Sequence, residues 1–348
     1  MRYAMLFFLS VSLCSWGQSL KANTILAPGA VDHASVLALK DCYSDQYSSA
    51  KKFLEHRLSR FPGLADRPDG QERQVALYEY LNSAREGVDC AWMKYAVDGF
   101  QVHGFIAAPE GAAEGDGEYP VVVVLRGGNA DSGRGSLRRL AAQVFPLVRE
   151  GFVVIGTSYR GAAVSPREPH PDRLADQFGG DDLNDVFALL PIIDSAPFAD
   201  GDRIGLWGNS RGAMMGFMAV READRFSAMV GLGAPVDLEK ELAFRPEMEE
   251  RVLSVWIPDF EENREEALKQ RSVIHWAEEL SDNTAIFLAH GTNDQRVRPE
   301  GVLELALRFQ ALGRDYQLVM YEGGDHSLHG HGDDVLERIR HWFKTHLH

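Results

Sequence analysis

With 348 residues, 45% of them hydrophobic, the chain can bury a large core and reads as one large α/β unit. Its formal charge of -15 argues against nucleic acid or an anionic membrane surface as the main partner, because the excess of Lys and Arg that would neutralise phosphates is missing. The first residues carry a basic Arg2, an apolar run from Ala4 to Leu13 and small residues at Ser15 and Gly17, which is the anatomy of a signal peptide cleaved after Gly17. The apolar run is too short to span a bilayer, and no later segment is long enough. A lipid anchor on Cys14 is disfavoured by Leu13, which stands where a small residue is wanted. The expected location is therefore exported, periplasmic or extracellular. Cys42 and Cys90 are then the remaining cysteines; an oxidising compartment permits them to pair, and the alternative is two buried thiols.

Residues 45 to 60 and 71 to 85 show apolar residues at helical spacing, broken by Pro62-Gly63 and Pro68-Asp69-Gly70, which predicts an N-terminal helical cap over 18–88. Residues 90 to 96 and 100 to 108 read as two strands around the turn signal Asp98-Gly99. From 89 to the end the chain alternates strands and helices. Strands are expected at 120–125, 152–157, 203–207, 226–232, 285–289 and 317–321, and helices at 135–150, 183–193, 299–312 and 333–346. Continuous apolar strands separated by helices indicate a mostly parallel sheet covered on both faces, an α/β fold. The Glu-rich stretch 237–280 interrupts this rhythm and is expected to be an insertion or lid.

The most telling stretch is Gly208-Asn209-Ser210-Arg211-Gly212, a G-x-S-x-G run between an apolar strand and a small-residue helix. In such a nucleophile elbow the serine sits on a sharp strand-to-helix turn, and its neighbours must be small so that strand and helix can pass closely. Ser210 is therefore the expected nucleophile. A serine needs a base within hydrogen-bond reach and an acid to orient that base. In the α/β-hydrolase arrangement these follow in the order Ser, acid, His at strand ends. Here Ile286-Phe287-Leu288-Ala289 leads into His290-Gly291-Thr292-Asn293-Asp294, and Tyr321-Glu322-Gly323-Gly324 leads into Asp325-His326. Asp294 is thus the expected acid and His326 the expected base, with His290, His329 and His331 as rivals for the latter. The backbone N–H of Arg211 is one expected oxyanion donor, and Gly127, after strand 120–125, supplies the other, with Arg126 or Gly128 as alternatives.

Dinucleotide and phosphate cofactors are not expected. Gly133-Arg134-Gly135 and Gly231-Leu232-Gly233 lack the remaining glycine and acidic residue of a dinucleotide site, and no P-loop occurs. The spacing of His326, His329 and His331 matches no recognised zinc pattern.

With these pieces in place, the chain from about residue 90 onward resembles the catalytic domain of the prolyl oligopeptidase family of serine peptidases. The resemblance rests on Tyr159-Arg160-Gly161, Phe178-Gly179-Gly180-Asp181-Asp182 leading to Asp185, the Ser210 elbow, Arg271-Ser272, His290 to Asp294 with Val297, and Asp325-His326, all in the family's order. It implies Ser210 as nucleophile, Asp294 as acid and His326 as base. Two departures stand out. The family's His-Gly-Gly-Pro, or its tyrosine form, is here Arg126-Gly127-Gly128-Asn129, and only about 70 mature residues precede the core, too few for the family's β-propeller. The resemblance implies cleavage of short peptide or amide bonds, while the short upstream segment points to a small ester as the alternative substrate. A hydrolase fold serving only as a binding module is disfavoured because all three catalytic positions are kept.

Overall fold

The computed structural model describes residues 22–115, 117–129, 135–162 and 175–348. The expected signal peptide, Gly133-Arg134 and residues 163–174 lie outside them.

A nine-stranded sheet in the order β1-β2-β3-β5-β4-β6-β7-β8-β9 organises the chain. The strands are β1 (Val36–Asp41), β2 (Val88–Val97), β3 (Phe100–Pro109), β4 (Tyr119–Leu125), β5 (Val153–Thr157), β6 (Ala199–Asn209), β7 (Phe226–Leu232), β8 (Ala285–Gly291) and β9 (Tyr316–Tyr321). β1, β2 and β3 pair antiparallel, β3 pairs antiparallel with β5, and every pairing from β5 to β9 is parallel.

In chain order the helices are α1 (Ala50–Arg60), α2 (Gly70–Ser83), α3 (Leu137–Arg139), α4 (Phe145–Val148), α5 (Asn184–Phe187), α6 (Leu189–Ser195), α7 (Arg211–Glu222), α8 (Leu238–Phe244), α9 (Ser254–Trp256), α10 (Phe260–Gln270), α11 (Pro299–Leu312) and α12 (Gly332–Leu347). The single helix expected at 135–150 is interrupted by a π-helical turn, Leu140–Val144, between α3 and α4.

Alternation along β4 shows why both faces must be covered. Val121, Val123 and Leu125 join one apolar cluster with Leu206 and Phe217, while Val122 joins the other with Trp207, Phe287 and Phe343. All of these are at most 2% exposed, so neither face of the central strands meets water.

The N-terminal segment departs from a purely helical cap. It contains α1 and α2, and Ser49 caps α1 by accepting from the Lys52 amide. It also supplies β1, which pairs with β2 as the edge of the same sheet. A disulfide between Cys42 and Cys90, with Cα atoms 5.5 Å apart, ties the end of β1 to β2, and the Cys42 amide donates to the Cys90 carbonyl at 3.0 Å. Residues 237–280 lie between β7 and β8 as a run of short helices, including α8, α9 and α10.

The order of the central strands decides where a ligand can bind. From β4 the chain moves to β5 on one side, and then returns past β4 to β6 on the other. The carboxyl ends of β4 and β6 therefore flank a crevice that no crossover covers, which is the place where open α/β sheets bind ligands.

Candidate active site

β6 delivers the elbow into that crevice. Ser210 stands between β6 and α7 with φ 55° and ψ -122°, a left-handed conformation that costs a non-glycine residue of order 1–3 kcal/mol. Its amide donates to the Leu232 carbonyl at the end of β7 (2.7 Å), which holds the turn in place. The flanking glycines are a steric requirement: a Cβ at Gly208 would lie 2.3 Å from the Gly212 carbonyl oxygen, and one at Gly212 would lie 2.1 Å from that of Leu125. Arg211 opens α7, and the first amides of a helix have no intrahelical acceptor.

Gly127, just after β4, comes up against this turn. A Cβ there would lie 2.8 Å from the Asn209 carbonyl oxygen and 3.1 Å from the Ser210 Cβ. Its neighbour Arg126 does not present its guanidinium as a free donor. Nε and Nη2 both donate to the Ser158 carbonyl, at 2.8 and 2.6 Å, and Nη1 donates to that of Gly127 at 3.2 Å. Burial, with Arg211 alongside, lowers this guanidinium to about 10. Of the two alternatives to a Gly127 amide, Arg126 is thus drawn away by carbonyls, while Gly128 has φ +74° and its carbonyl is bonded to the Arg211 side chain.

The side chain of Arg211 plays a separate part. It is 2% exposed, pairs with the fully buried carboxylates of Asp176 and Asp182, and packs over the rings of Tyr159 and Phe178. Burial opposes its charge, but the two aspartates prevail and keep the guanidinium above its ordinary value. From the other side Arg271 donates to the carbonyls of Phe178 (2.8 Å) and Gln177 (3.2 Å). Two of the motifs noted in the sequence, 178–182 and Arg271-Ser272, therefore brace the loop beside the elbow.

The loops after β8 and β9 are joined to each other. Thr292 donates its amide to the Tyr321 carbonyl (2.9 Å), Asn293 to that of Gly324 (3.0 Å), and Gly323 donates to the Thr292 hydroxyl (2.8 Å). This pairing sets Asp294 beside His326, whose Nδ1 donates to Asp294 Oδ2 at 2.7 Å. Asp294 is 3% exposed. Its Oδ1 accepts the amides of Arg296 (2.8 Å) and Val297 (3.0 Å), and its Oδ2 also faces His290 Nε2 at 3.1 Å. Burial pushes the carboxyl up, but the bonds from His290, His326 and Val297 outweigh it and hold the group well below the usual carboxylate range.

His326 is separated from its rivals by these contacts. His329 is exposed and bonds Asp325 at 2.7 Å, and Asp325 itself closes a turn by accepting the Ser327 and His329 amides. His331 packs at a tilt against the Tyr321 ring. His290 is fully buried behind Asp294, and its Nε2 also donates to the Val297 carbonyl at 3.0 Å. The sequence placed His290 near the acid, but nothing in it indicated a second imidazole on the same carboxylate oxygen. Among the described residues, no group of His, Cys, Asp or Glu side chains is disposed to hold a metal ion.

Ser210, His326, Arg211, Gly127 and Gly128 all line one cavity of about 670 Å³. The insertion between β7 and β8 contributes a wall of it through Leu238, Glu241, Met248 and Val252.

This sheet and elbow define a protein of the α/β-hydrolase class. The chain belongs to the prolyl oligopeptidase family, whose family model matches residues 138–348. It is 26% identical over 267 residues to the uncharacterized peptidase YuxL of Bacillus subtilis (strain 168), a match covering 73% of this chain and 39% of that protein. Among solved structures, a Mycobacterium tuberculosis puromycin-hydrolyzing peptidase superposes with a TM-score of 0.63 at 24% identity, over 74% of this chain and 40% of that one. The Pyrococcus horikoshii acylaminoacyl peptidase also gives 0.63, at 18% identity, over 77% of this chain and 43% of that one. The chain thus spans well under two thirds of the length of these relatives.

Proposed function

We propose that the chain is a serine hydrolase that cleaves short peptide or amide bonds through an acyl-enzyme. Ser210 attacks the carbonyl carbon while His326 Nε2 takes its proton, and Asp294 stabilises the imidazolium that forms. The amides of Arg211 and Gly127 receive the developing oxyanion. His326 then gives its proton to the leaving amine, and a water molecule, activated by the same histidine, releases the acid and restores Ser210. The observation that carries this reading is the 2.7 Å bond between His326 Nδ1 and Asp294, made on the wall of the cavity that also holds Ser210 at positive φ. With Nδ1 held by the acid, Nε2 is the nitrogen left for the serine.

Hydrolysis of aminoacyl and dipeptidyl amides, measured beside short-chain aryl esters for the native protein and Ser210→Ala, tests it. Amide turnover that disappears in Ser210→Ala supports the proposal. Ester turnover without amide cleavage would reassign the protein as a carboxylesterase, and a native protein that neither turns over nor reacts with a fluorophosphonate would make it a non-catalytic module.

We further propose that the protein acts outside the cytoplasm, in the periplasm or extracellular space. The Cys42–Cys90 disulfide supports this, since such bonds persist in oxidising compartments. Fractionation and N-terminal sequencing of the mature protein test it; a cytoplasmic protein with an intact N-terminus would refute it.

A further inference from the structure

One carboxylate on the cavity wall has no role in the chemistry above. Glu241, on α8, is 4% exposed and lines the cavity that contains Ser210 and His326. Its two oxygens each face the Arg298 amide at 3.3 Å, and among the described residues it makes no ion pair. The surrounding cations form their bonds elsewhere, although Arg245, on the same cavity wall, favours the Glu241 charge without pairing with it. Arg245 donates to Glu247 and to the Arg296 carbonyl, Lys240 pairs with Glu304, and the Arg298 side chain pairs with Glu300. Behind Glu241 stand His290, committed to Asp294 and Val297, and Asp294 itself, which repels a second negative charge. Arg296 also lines the cavity, from an exposed position.

A buried carboxylate without a counter-ion is costly, and a cation entering the cavity would relieve it. We propose that Glu241 is the substrate-recognition group for a primary ammonium, so that this site prefers substrates with an unblocked amino group. The apolar wall beside it, from Leu238, Met248 and Val252, offers a surface for the carbon skeleton that carries that group. The same chemistry can come from the α-amino group of an amino acid or short peptide, or from a lysine side chain. Burial, which raises the Glu241 carboxyl to about 7, agrees with an acid that awaits a cation before it ionises fully. The inference deepens the hydrolase reading and rests on it for the word substrate, although ammonium binding itself does not need turnover.

Calorimetric titration of the native protein with three amides separates the sources. Alaninamide offers only an α-ammonium, Nα-acetyl-lysinamide only a side-chain ammonium, and N-acetyl-alaninamide neither. Binding of the first or the second at least ten-fold tighter than the third is the expected result, and the tighter of the two names the source. Equal binding of all three, or none, overturns the inference. In Glu241→Gln the ratio of kcat/KM for free over N-acetylated aminoacyl anilides should fall at least ten-fold, chiefly through KM; an unchanged ratio overturns it. Fluorophosphonate labelling of the native protein reports separately on the nucleophile, so loss of the hydrolase reading and loss of ammonium recognition give different results.

Discussion

The side chain of Arg211 donates from Nη1 to the carbonyl of Gly128 at 3.2 Å. The residue that follows Ser210 in sequence therefore also holds the loop that closes the other side of the crevice. Because the guanidinium is buried between Asp176 and Asp182, this link depends on one cation shared by two buried carboxylates. Arg211→Met keeps the volume and the backbone N–H but strands two buried aspartates. Stability should fall by about 3–5 kcal/mol in urea unfolding, and adding Asp176→Asn with Asp182→Asn should restore part of the loss.

Asp294 receives four donors on two oxygens: the His290 and His326 imidazoles and the Arg296 and Val297 amides. An asparagine has one acceptor oxygen, so Asp294→Asn must turn its NH₂ toward one pair of donors and mis-set the His326 tautomer. A drop in kcat of about 10⁴ is expected, as for loss of the orienting acid in other triads. Steady-state kinetics checks it, and a loss below ten-fold would count against Asp294 as the acid.

Gly127→Ala places a methyl group 2.8 Å from the Asn209 carbonyl oxygen, a backbone atom that cannot swing aside. The loop after β4 must then retreat from Ser210. We expect kcat to fall by about 10² or more, the usual cost of one lost oxyanion donor, while chemical denaturation shifts little. Wild-type kcat in this variant would remove Gly127 from the oxyanion site.

Two carboxylates should shape the stability profile in opposite senses. Glu241 is raised to about 7 by burial, so the folded chain holds a proton that the unfolded chain releases near the ordinary value of 4.5. Stability from this group is complete below that value and is lost as the pH rises through about 7, by at most about 3 kcal/mol. Asp294, depressed, contributes above the ordinary carboxylate range and loses its contribution as the pH falls below it. Unfolding free energies of wild type and Glu241→Gln from pH 4 to 8 should converge at the acid end and diverge toward neutrality, with the wild type lower there; parallel curves would contradict it.

Much of this architecture was legible in the chain because the central strands are buried on both faces and leave continuous apolar runs such as Val121 to Leu125. Strand 226–232 and helix 299–312 fall where expected, and the elbow announced itself by the glycines that its close packing demands. β1 was not legible. As an edge strand with half-exposed residues on both faces, Val36–Asp41 shows no alternation, and its apolar run ends after four residues, Val36 to Leu39. The partners of Arg211 were equally hidden, since Asp176 and Asp182 lie 35 and 29 residues away and nothing local couples them. Glu241 looked like one of many charges in a Glu-rich stretch, because burial against the cavity is set by tertiary packing.

The disulfide encloses everything between Cys42 and Cys90, including α1, α2 and the connection from Phe61 to Asp69, in which Phe61 is 44% exposed. A single peptide-bond cut in that connection leaves both pieces covalently joined. The nicked molecule would keep the mass of the intact one, plus a water, until a thiol is added, and a gel run without reductant would not reveal the damage.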